Sequence, residues 1–336
     1  TLRQLSAEGT SILYISHKLE EIRALCENAT ILRLGKRVAG CDPRETSARE
    51  LAELMVGSKL HQPARKDASH GDVTLEVTGL TLPPATDFGT PLTDVSLQVR
   101  QGEILGIGGV AGNGQDELLT ALSGEVTCAP DVILLKGEPV GALGPNQRRP
   151  LGLLSAPEER LGHAAAPDMS LTENAVLTAW QREGLASKGF VNWAKTRSFA
   201  EKIIAEFDVR TPGTEVAARA LSGGNLQKFV MGREILQNPD VLVVNQPTWG
   251  VDAAAAASIR QALMDLAEAG AAVVVISQDL DELMEVSDQF AALNGGKLSP
   301  PRPTKGLTME EIGLMLGGAH DMEAAHIHPD EAPTGT

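Results

Sequence analysis

The densest chemistry in this sequence lies in one glycine-rich stretch, Gly109-Val110-Ala111-Gly112-Asn113-Gly114-Gln115-Asp116. It follows directly on the apolar run EILGIG (103–108) and opens the helical pattern ELLTALSG. Glycines at a strand-to-helix turn let successive backbone N–H groups point inward, and the helix start adds partial positive charge. The stretch therefore has the form of a phosphate-binding loop. Two side chains depart from that form. Gln115 stands where a lysine would pair with the β- and γ-phosphates, and Asp116 stands where a hydroxyl would bind Mg2+. Taken alone, such a turn reads equally well as a plain tight βα connection.

A second motif supplies the missing context. LSGGNLQKFVMGREIL (221–236) is followed by DVLVVNQPTWGVD (240–252). A hydroxyl and bare amides at a helix start, here Ser222, Gly223 and Gly224, suit the capture of an anion. With this loop just ahead of a buried strand, the sequence resembles the ABC transporter ATPases and their LSGGQ-type signature.

The resemblance implies an α/β fold: a P-loop NTPase nucleotide-binding domain of ABC type with a helical subdomain. It implies ATP and Mg2+ as cofactors, with Gly109, Gly112, Asn113, Gly114, Gln115 and Asp116 on one side of the nucleotide. Ser222, Gly223 and Gly224 would face the nucleotide of an opposing domain. At the end of the strand that follows, the family carries an Asp for the metal shell and a Glu for the attacking water. This chain carries Asn245 and Gln246, and neither amide has the negative charge that a base or a strong hard-cation ligand needs. PTWGVD resembles the D-loop, with Asp252 in place, and Gln278 stands at the family's switch histidine. SAPEER (155–160) lies at the Q-loop, with Glu158 in place of glutamine. Glu158 and Asp252 are expected to couple nucleotide state to a membrane subunit. Phe88 is either an adenine-stacking ring or an ordinary core or loop residue. The chain's own ATP site is thus expected to be degenerate, and no metal site is assigned to it.

The elements that position these residues follow from pattern. The runs at 103–108, 240–245 and 271–277 are short, apolar and bounded by polar or glycine-rich turns, and they alternate with helical segments. That arrangement predicts a largely parallel sheet with helices packed around it. An internal repeat sets the wider plan. EGTSILYISHK (8–18) matches AGAAVVVISQD (269–279) at an offset of 261 residues, which also aligns Leu19 with Leu280, Glu21 with Glu282 and Lys36 with Lys297. So long a period means duplicated domains rather than a solenoid. Residues 1–57 are expected to be the C-terminal part of a first nucleotide-binding domain, 58–72 a linker, 73–318 a second such domain and 319–336 a disordered tail. The register places His17 at the first copy's switch-histidine position. Beginning at Thr1 within a helical pattern, the sequence is expected to be a fragment of a longer polypeptide.

Bulk composition narrows the class. A formal charge of −15 disfavours a sequence-independent grip on nucleic acid and a direct contact with anionic lipid. Cys26, Cys41 and Cys128 are scattered without CxxC spacing, which supports neither a zinc site nor a disulfide framework and leaves a reducing cytosol as the default. No apolar run is long enough to span a membrane, and no basic-then-apolar leader is present. His320, His326 and His328 in the tail are read as solvated rather than metal-binding.

The GNGQ form of the loop, PEER and NQPT are similar to the tandem-cassette importers of nucleosides or simple sugars, the first motif leaning to the nucleoside branch. The resemblance implies a peripheral subunit on the cytoplasmic face of the plasma membrane. Its partners would be transmembrane permease subunits, a periplasmic or lipoprotein substrate-binding protein and the first nucleotide-binding domain of the same polypeptide. Hydrolysis is expected at the composite site of that first domain, completed by this chain's LSGG loop and His17, with Mg2+ mainly there. The fragment alone is expected to turn ATP over weakly or not at all. The rival readings are a soluble tandem-cassette protein acting on ribosomes or nucleic acid, for which a long charged linker is lacking, and a non-hydrolysing regulatory cassette.

Overall fold

The computed structural model describes residues 1–15, 19–33, 35–47, 50–51, 54, 70–84 and 89–318. His17, Phe88, nearly all of the linker and the tail with its three histidines lie outside the described residues.

The N-terminal part contains helices α1 (Leu2–Ala7) and α2 (Leu19–Leu25) and an antiparallel hairpin of β1 (Ala29–Arg33) and β2 (Lys36–Cys41). The repeat equates residues 10–15 with a central strand, yet among the described residues they pair with no strand, and Leu13 and Ile15 are 89% and 88% exposed. An apolar β-rich run becomes a strand only where neighbours accept its backbone hydrogen bonds.

From residue 70 the chain builds two sheets. β3 (Val73–Leu82) and β4 (Leu92–Arg100) pair antiparallel, and β6 (Ile133–Leu135) and β7 (Glu138–Pro139) extend that sheet to four strands after β5 (Ile104–Gly108) has entered the other. In β4 buried and exposed residues alternate along most of the strand, as expected when only one face is covered. That face closes over helix α3 (Gln115–Ser123), whose Leu118, Leu119 and Leu122 share a core with Leu105 and Ile107 of β5.

The larger sheet adds β8 (Leu153–Ala156), β11 (Val241–Asn245), β12 (Ala272–Ser277) and β13 (Gln289–Asn294), in the spatial order β13-β5-β12-β11-β8 and all parallel. Two-residue strands β14 (Lys297–Leu298) and β15 (Arg302–Pro303) pair antiparallel with β13 at its edge. β5, β11 and β12 are buried at every position, which is why their sequences are continuous apolar runs without alternation. Helices α4 (Pro145–Leu151), α8 (Ala253–Glu268), α9 (Leu280–Val286) and α10 (Met309–Leu316) complete the layers.

A helical subdomain lies between β8 and β11 in sequence. It comprises α5 (Leu171–Ala179), the small hairpin β9 (Ala186–Ser187) and β10 (Phe190–Val191), α6 (Trp193–Glu206) and α7 (Gly223–Ile235). Ser170 and Glu173 form a capping box at α5, and Asn192 caps α6 by accepting the Lys195 N–H. Phe199, Ile203 and Phe229 pack these helices into one core. Gly232 is required there, since a Cβ would sit 2.6 Å from the ring of Phe207.

Among the described residues no helix is long and apolar enough to cross a membrane.

Candidate functional site

Four loops leave the parallel strands at their carboxyl ends, the place where open α/β sheets bind ligands. Gly109–Gly114 follow β5, Pro157–Arg160 follow β8, Gln246–Asp252 follow β11, and Gln278 follows β12. The register sets them level: Val244 pairs with Ala156, Asn245 with Ile276, and Ser277 with Gly108.

The glycine loop has the predicted backbone. Gly112 and Gly114 adopt φ of +82° and +107°, and Gly114 caps α3 in the left-handed conformation. A side chain at Gly109 would collide with Gln115 Nε2 at 2.6 Å and the Leu293 carbonyl at 2.7 Å. The side chains, however, turn inward. Gln115 is buried; its Nε2 donates to the Val110 carbonyl at 2.8 Å and its Oε1 accepts the Asn113 N–H at 2.9 Å. Asn113 Nδ2 also donates to Val110 O, while Asn113 Oδ1 accepts the Gly295 N–H at 2.7 Å and ties the loop to the β13–β14 turn. The loop is thus held in shape by its own amides, which engage one of the N–H groups a phosphate would use. The N–H groups of the first turn of α3 still lack intrahelical partners.

Asp116 is exposed at the next position and its Oδ1 accepts from Asn245 Nδ2 at 2.9 Å. Partial burial, then the adjacent Glu117, push its carboxyl above the usual range, against the pull of the Asn245 bond. Asn245 is 1% exposed, and among the described residues its Oδ1 has no hydrogen-bond partner. Leaving such an oxygen dry costs about 1–3 kcal/mol. Gln246 takes φ of +52°, an unusual conformation for a residue with a side chain, and is 3% exposed. Its Oε1 accepts from the Gln278 N–H at 3.4 Å and lies 3.4 Å from Ser277 Oγ, so it faces the neighbouring loop. Ser277 Oγ donates to Glu282 at 2.8 Å, and burial pushes the Glu282 carboxyl up although Thr248, Ser277 and Arg260 oppose this. Gln278 is exposed.

An open cleft of about 790 Å³ lies between the sheet and the helical subdomain, lined by Asp116, Glu158, Arg160, His163, Gly223 and Trp249 among others. Burial and the negative charge of Asp116 raise the Glu158 carboxyl, while Arg160 opposes. Arg160 Nε donates to Gln227 Oε1 at 3.0 Å, and Gln227 Nε2 donates to the Pro247 carbonyl at 2.8 Å. This chain of bonds joins the loops after β8 and β11 to the signature helix. His163 Nε2 lies 2.9 Å from Glu125 Oε2. Sequence reasoning singled out Glu158 but missed Arg160, Gln227 and Glu282. Arg160 stood within the PEER segment, and nothing in the local pattern separates it from a surface arginine.

Ser222 and Gly223 are exposed at the start of the 13-residue helix α7. Ser222 Oγ makes no capping bond to the backbone and accepts from Asn225 Nδ2 at 2.9 Å. Asp252, by contrast, caps α8 by accepting the Ala255 N–H at 2.9 Å. The far end of α7 is clamped. Glu234 is fully buried and meets Arg149 NH1 at 2.7 Å, Arg233 Nε at 2.9 Å and Thr178 Oγ1 at 2.8 Å. Burial alone would raise its carboxyl, but the two guanidiniums overcome that and hold it below the usual range.

The structure therefore brings Asp116, Glu158, Asn245, Gln246 and Gln278 to one edge of the sheet, with Gly109–Gly114 beside them. For Mg2+, the pair Asn245 and Gln246 is a poor donor set. Asp116 and Glu158 with the orphaned oxygen of Asn245 are oxygen donors that fit a hard cation, although among the described residues no group of three His, Cys, Asp or Glu clusters to hold a metal.

Comparison with known proteins agrees with this geometry. Residues 92–249 match the ABC transporter family model. A nucleoside import ATP-binding protein of Lactococcus lactis is 36% identical over 319 residues, covering 94% of this chain and 63% of the relative. A guanosine import ATP-binding protein of Bacillus subtilis is 36% identical over 324 residues, covering 96% and 63%. A glucose import ATP-binding protein of Haloferax volcanii is 36% identical over 329 residues, covering 96% and 59%. The chain thus spans roughly three-fifths of the length of these relatives. Among solved structures, the ATP-binding subunit of an ABC transporter aligns with a TM-score of 0.58 at 20% identity, covering 73% of this chain and 99% of that one. A dimeric cassette bound to ADP and Pi aligns at 0.57 and 19% identity, covering 69% and 100%. At such identities the structural likeness shows the fold. With the glycine loop and the start of the signature helix both within the matched segment, residues 92–249 belong to the ABC transporter family.

Proposed function

We propose that this chain is part of the ATP-binding subunit of an importer for a nucleoside or simple sugar. Its own ATP site binds nucleotide weakly and does not hydrolyse it. Its signature loop, with His17, completes the working site of a preceding cassette in the same polypeptide. The observation that carries this reading is the contrast between the two motifs. Ser222 and Gly223 are exposed at the start of a helix clamped at its far end, whereas Gln115 turns inward onto its own loop and Gln246 onto the loop after β12.

At the composite site Mg2+ would neutralise charge on the transferring phosphoryl group. The chain's part is to present backbone N–H groups and the Ser222 hydroxyl to the γ-phosphate and to exclude water behind them. Losing one preorganised group at a transition state costs roughly 10²–10³ in rate. At its own site this chain lacks a lysine at 115, acids at 245 and 246 and a histidine at 278. The residue pattern and the relatives' names support a peripheral subunit at the cytoplasmic membrane face, working with permease subunits and a substrate-binding protein. The repeat and the greater length of the relatives support a first cassette ahead of residue 57, with 58–72 as linker.

The test is ATP turnover of the full-length subunit with its membrane partner. Ser222→Arg should abolish it and Gln246→Ala should leave it near normal. The reverse pattern would make this chain's own site the working one.

A further inference from the structure

Resting on the composite-site reading above, we propose that Arg160 is a positioning residue for that site: its guanidinium sets the start of the signature helix α7 against the loop after β11. Three elements converge on this side chain. Its Nε donates to Gln227 Oε1 at 3.0 Å, just past the first turn of α7, and Gln227 Nε2 donates to the Pro247 carbonyl at 2.8 Å in the loop after β11. Gln227 is 1% exposed, so water does not compete for either bond. The other end of the guanidinium lies against two glycines. A Cβ at Gly223 would stand 2.7 Å from Arg160 NH1, and one at Gly250 would stand 3.3 Å from NH2. Bare glycines at the helix start and in the loop thus leave the planar group its room. The backbone behind it is fixed as well, since the Arg160 carbonyl accepts the Ala165 N–H at 2.8 Å.

The start of α7 needs such a tether from outside. A serine at a helix start ordinarily ties down the first turn by accepting one of its N–H groups, but Ser222 makes no capping bond to the backbone. Those N–H groups are the ones a phosphate would use, so a cap made by the helix itself would occupy what the site has to offer. The clamp of Glu234 with Arg149 and Arg233 grips only the far end of the helix. Arg160 and Gln227 hold the near end without taking a first-turn amide. A planar guanidinium can donate through Nε while its terminal nitrogens lie between the two glycines, whereas the single ammonium of a lysine cannot do both.

The experiment uses the full-length subunit with its membrane partner and reads amide hydrogen exchange and steady-state ATP turnover in Arg160→Met, Gln227→Met, the double variant and Arg160→Lys, with Ser222→Arg beside them. The Leu226 N–H is bonded to the Ser222 carbonyl at 2.9 Å and the Trp249 N–H to the Gln246 carbonyl at 3.1 Å, so these two amides report on the helix start and on the loop. In Arg160→Met both should exchange roughly tenfold faster, the weight of one charge-assisted hydrogen bond, while the Leu236 N–H at the far end of α7 keeps its rate. Its kcat should fall roughly tenfold or more with KM for ATP unchanged, because a displaced group costs most at the transition state. Gln227→Met should act alike, and the double variant should be no worse than either single one, as for two residues working as a unit. Arg160→Lys should not restore kcat. Melting temperatures check that each variant keeps its fold. Turnover that survives Ser222→Arg would sink the composite-site reading and the role of Arg160 with it. Turnover lost in Ser222→Arg but unchanged in Arg160→Met would overturn the role of Arg160 alone, as would unchanged exchange at Leu226 and Trp249.

Discussion

Gln115 Oε1 accepts the backbone N–H of Asn113 at 2.9 Å within the very loop whose amides would otherwise face a phosphate. Its Nε2 donates to Val110 O at 2.8 Å, so one side chain both fills the loop and closes it. A lysine at 115 could keep the donation to Val110 but has no acceptor for Asn113. Gln115→Lys should therefore free that N–H and place a cation beside the phosphates, and charge-assisted hydrogen bonds are worth about 1.5–3 kcal/mol. Affinity for a fluorescent ATP analogue should rise roughly tenfold or more, by that magnitude. Unchanged affinity would mean that Gln115 is not what closes the loop.

The Arg149–Glu234–Arg233 cluster joins α4 to α7 across 85 residues of sequence and fixes the signature helix at the end away from Ser222. Removing one partner of a buried pair leaves an uncompensated charge and costs about 3–5 kcal/mol. Glu234→Ala should lower the denaturation midpoint accordingly. The pH dependence has a definite sign. A carboxyl whose pKa is depressed by folding contributes its stability above its unfolded value of about 4.3 and loses it as pH falls through the lower folded value. Wild-type stability should fall steeply below about pH 4, and Glu234→Gln should flatten that limb. A wild-type curve with no acid limb would show that the guanidiniums do not hold the carboxylate ionised.

Much of this was legible beforehand, because backbone requirements leave marks on sequence. The runs read as strands became β5, β11 and β12 to within a residue at each start, since parallel strands buried on both faces must be continuously apolar. The glycine loop and the start of α7 were legible through glycine itself. What side chains do at long sequence separation left no mark. In α7, Lys228, Arg233 and Glu234 look like a solvated face, yet all three are buried and paired with residues from other elements or with each other. The inward turn of Gln115 and Gln246 depends on carbonyls, hydroxyls and amides that only the folded chain brings near. Residues 10–15 show the opposite case: they share the apolar pattern of β12 through the repeat, but pairing depends on neighbours.

Glu282 offers a test of the network behind Gln246. It is 3% exposed, accepts from Ser277 Oγ at 2.8 Å, and has its carboxyl raised first of all by burial. An acid whose pKa is higher folded than unfolded binds its proton more tightly in the folded state. Its contribution to stability is therefore full below the unfolded value of about 4.3 and is lost as pH rises towards the folded value. Above the folded value the site carries a charge that burial disfavours. Glu282→Gln keeps an oxygen for Ser277 and removes that charge, so it should raise the melting temperature at pH 7.5 relative to wild type. At pH 4 the two proteins should converge, because the wild-type carboxyl is then protonated in both states to a similar degree. Melting curves across this range decide the matter. A variant less stable than wild type at pH 7.5 would show that the ionised carboxylate, held by Ser277, Thr248 and Arg260, is worth more to the fold than its burial costs.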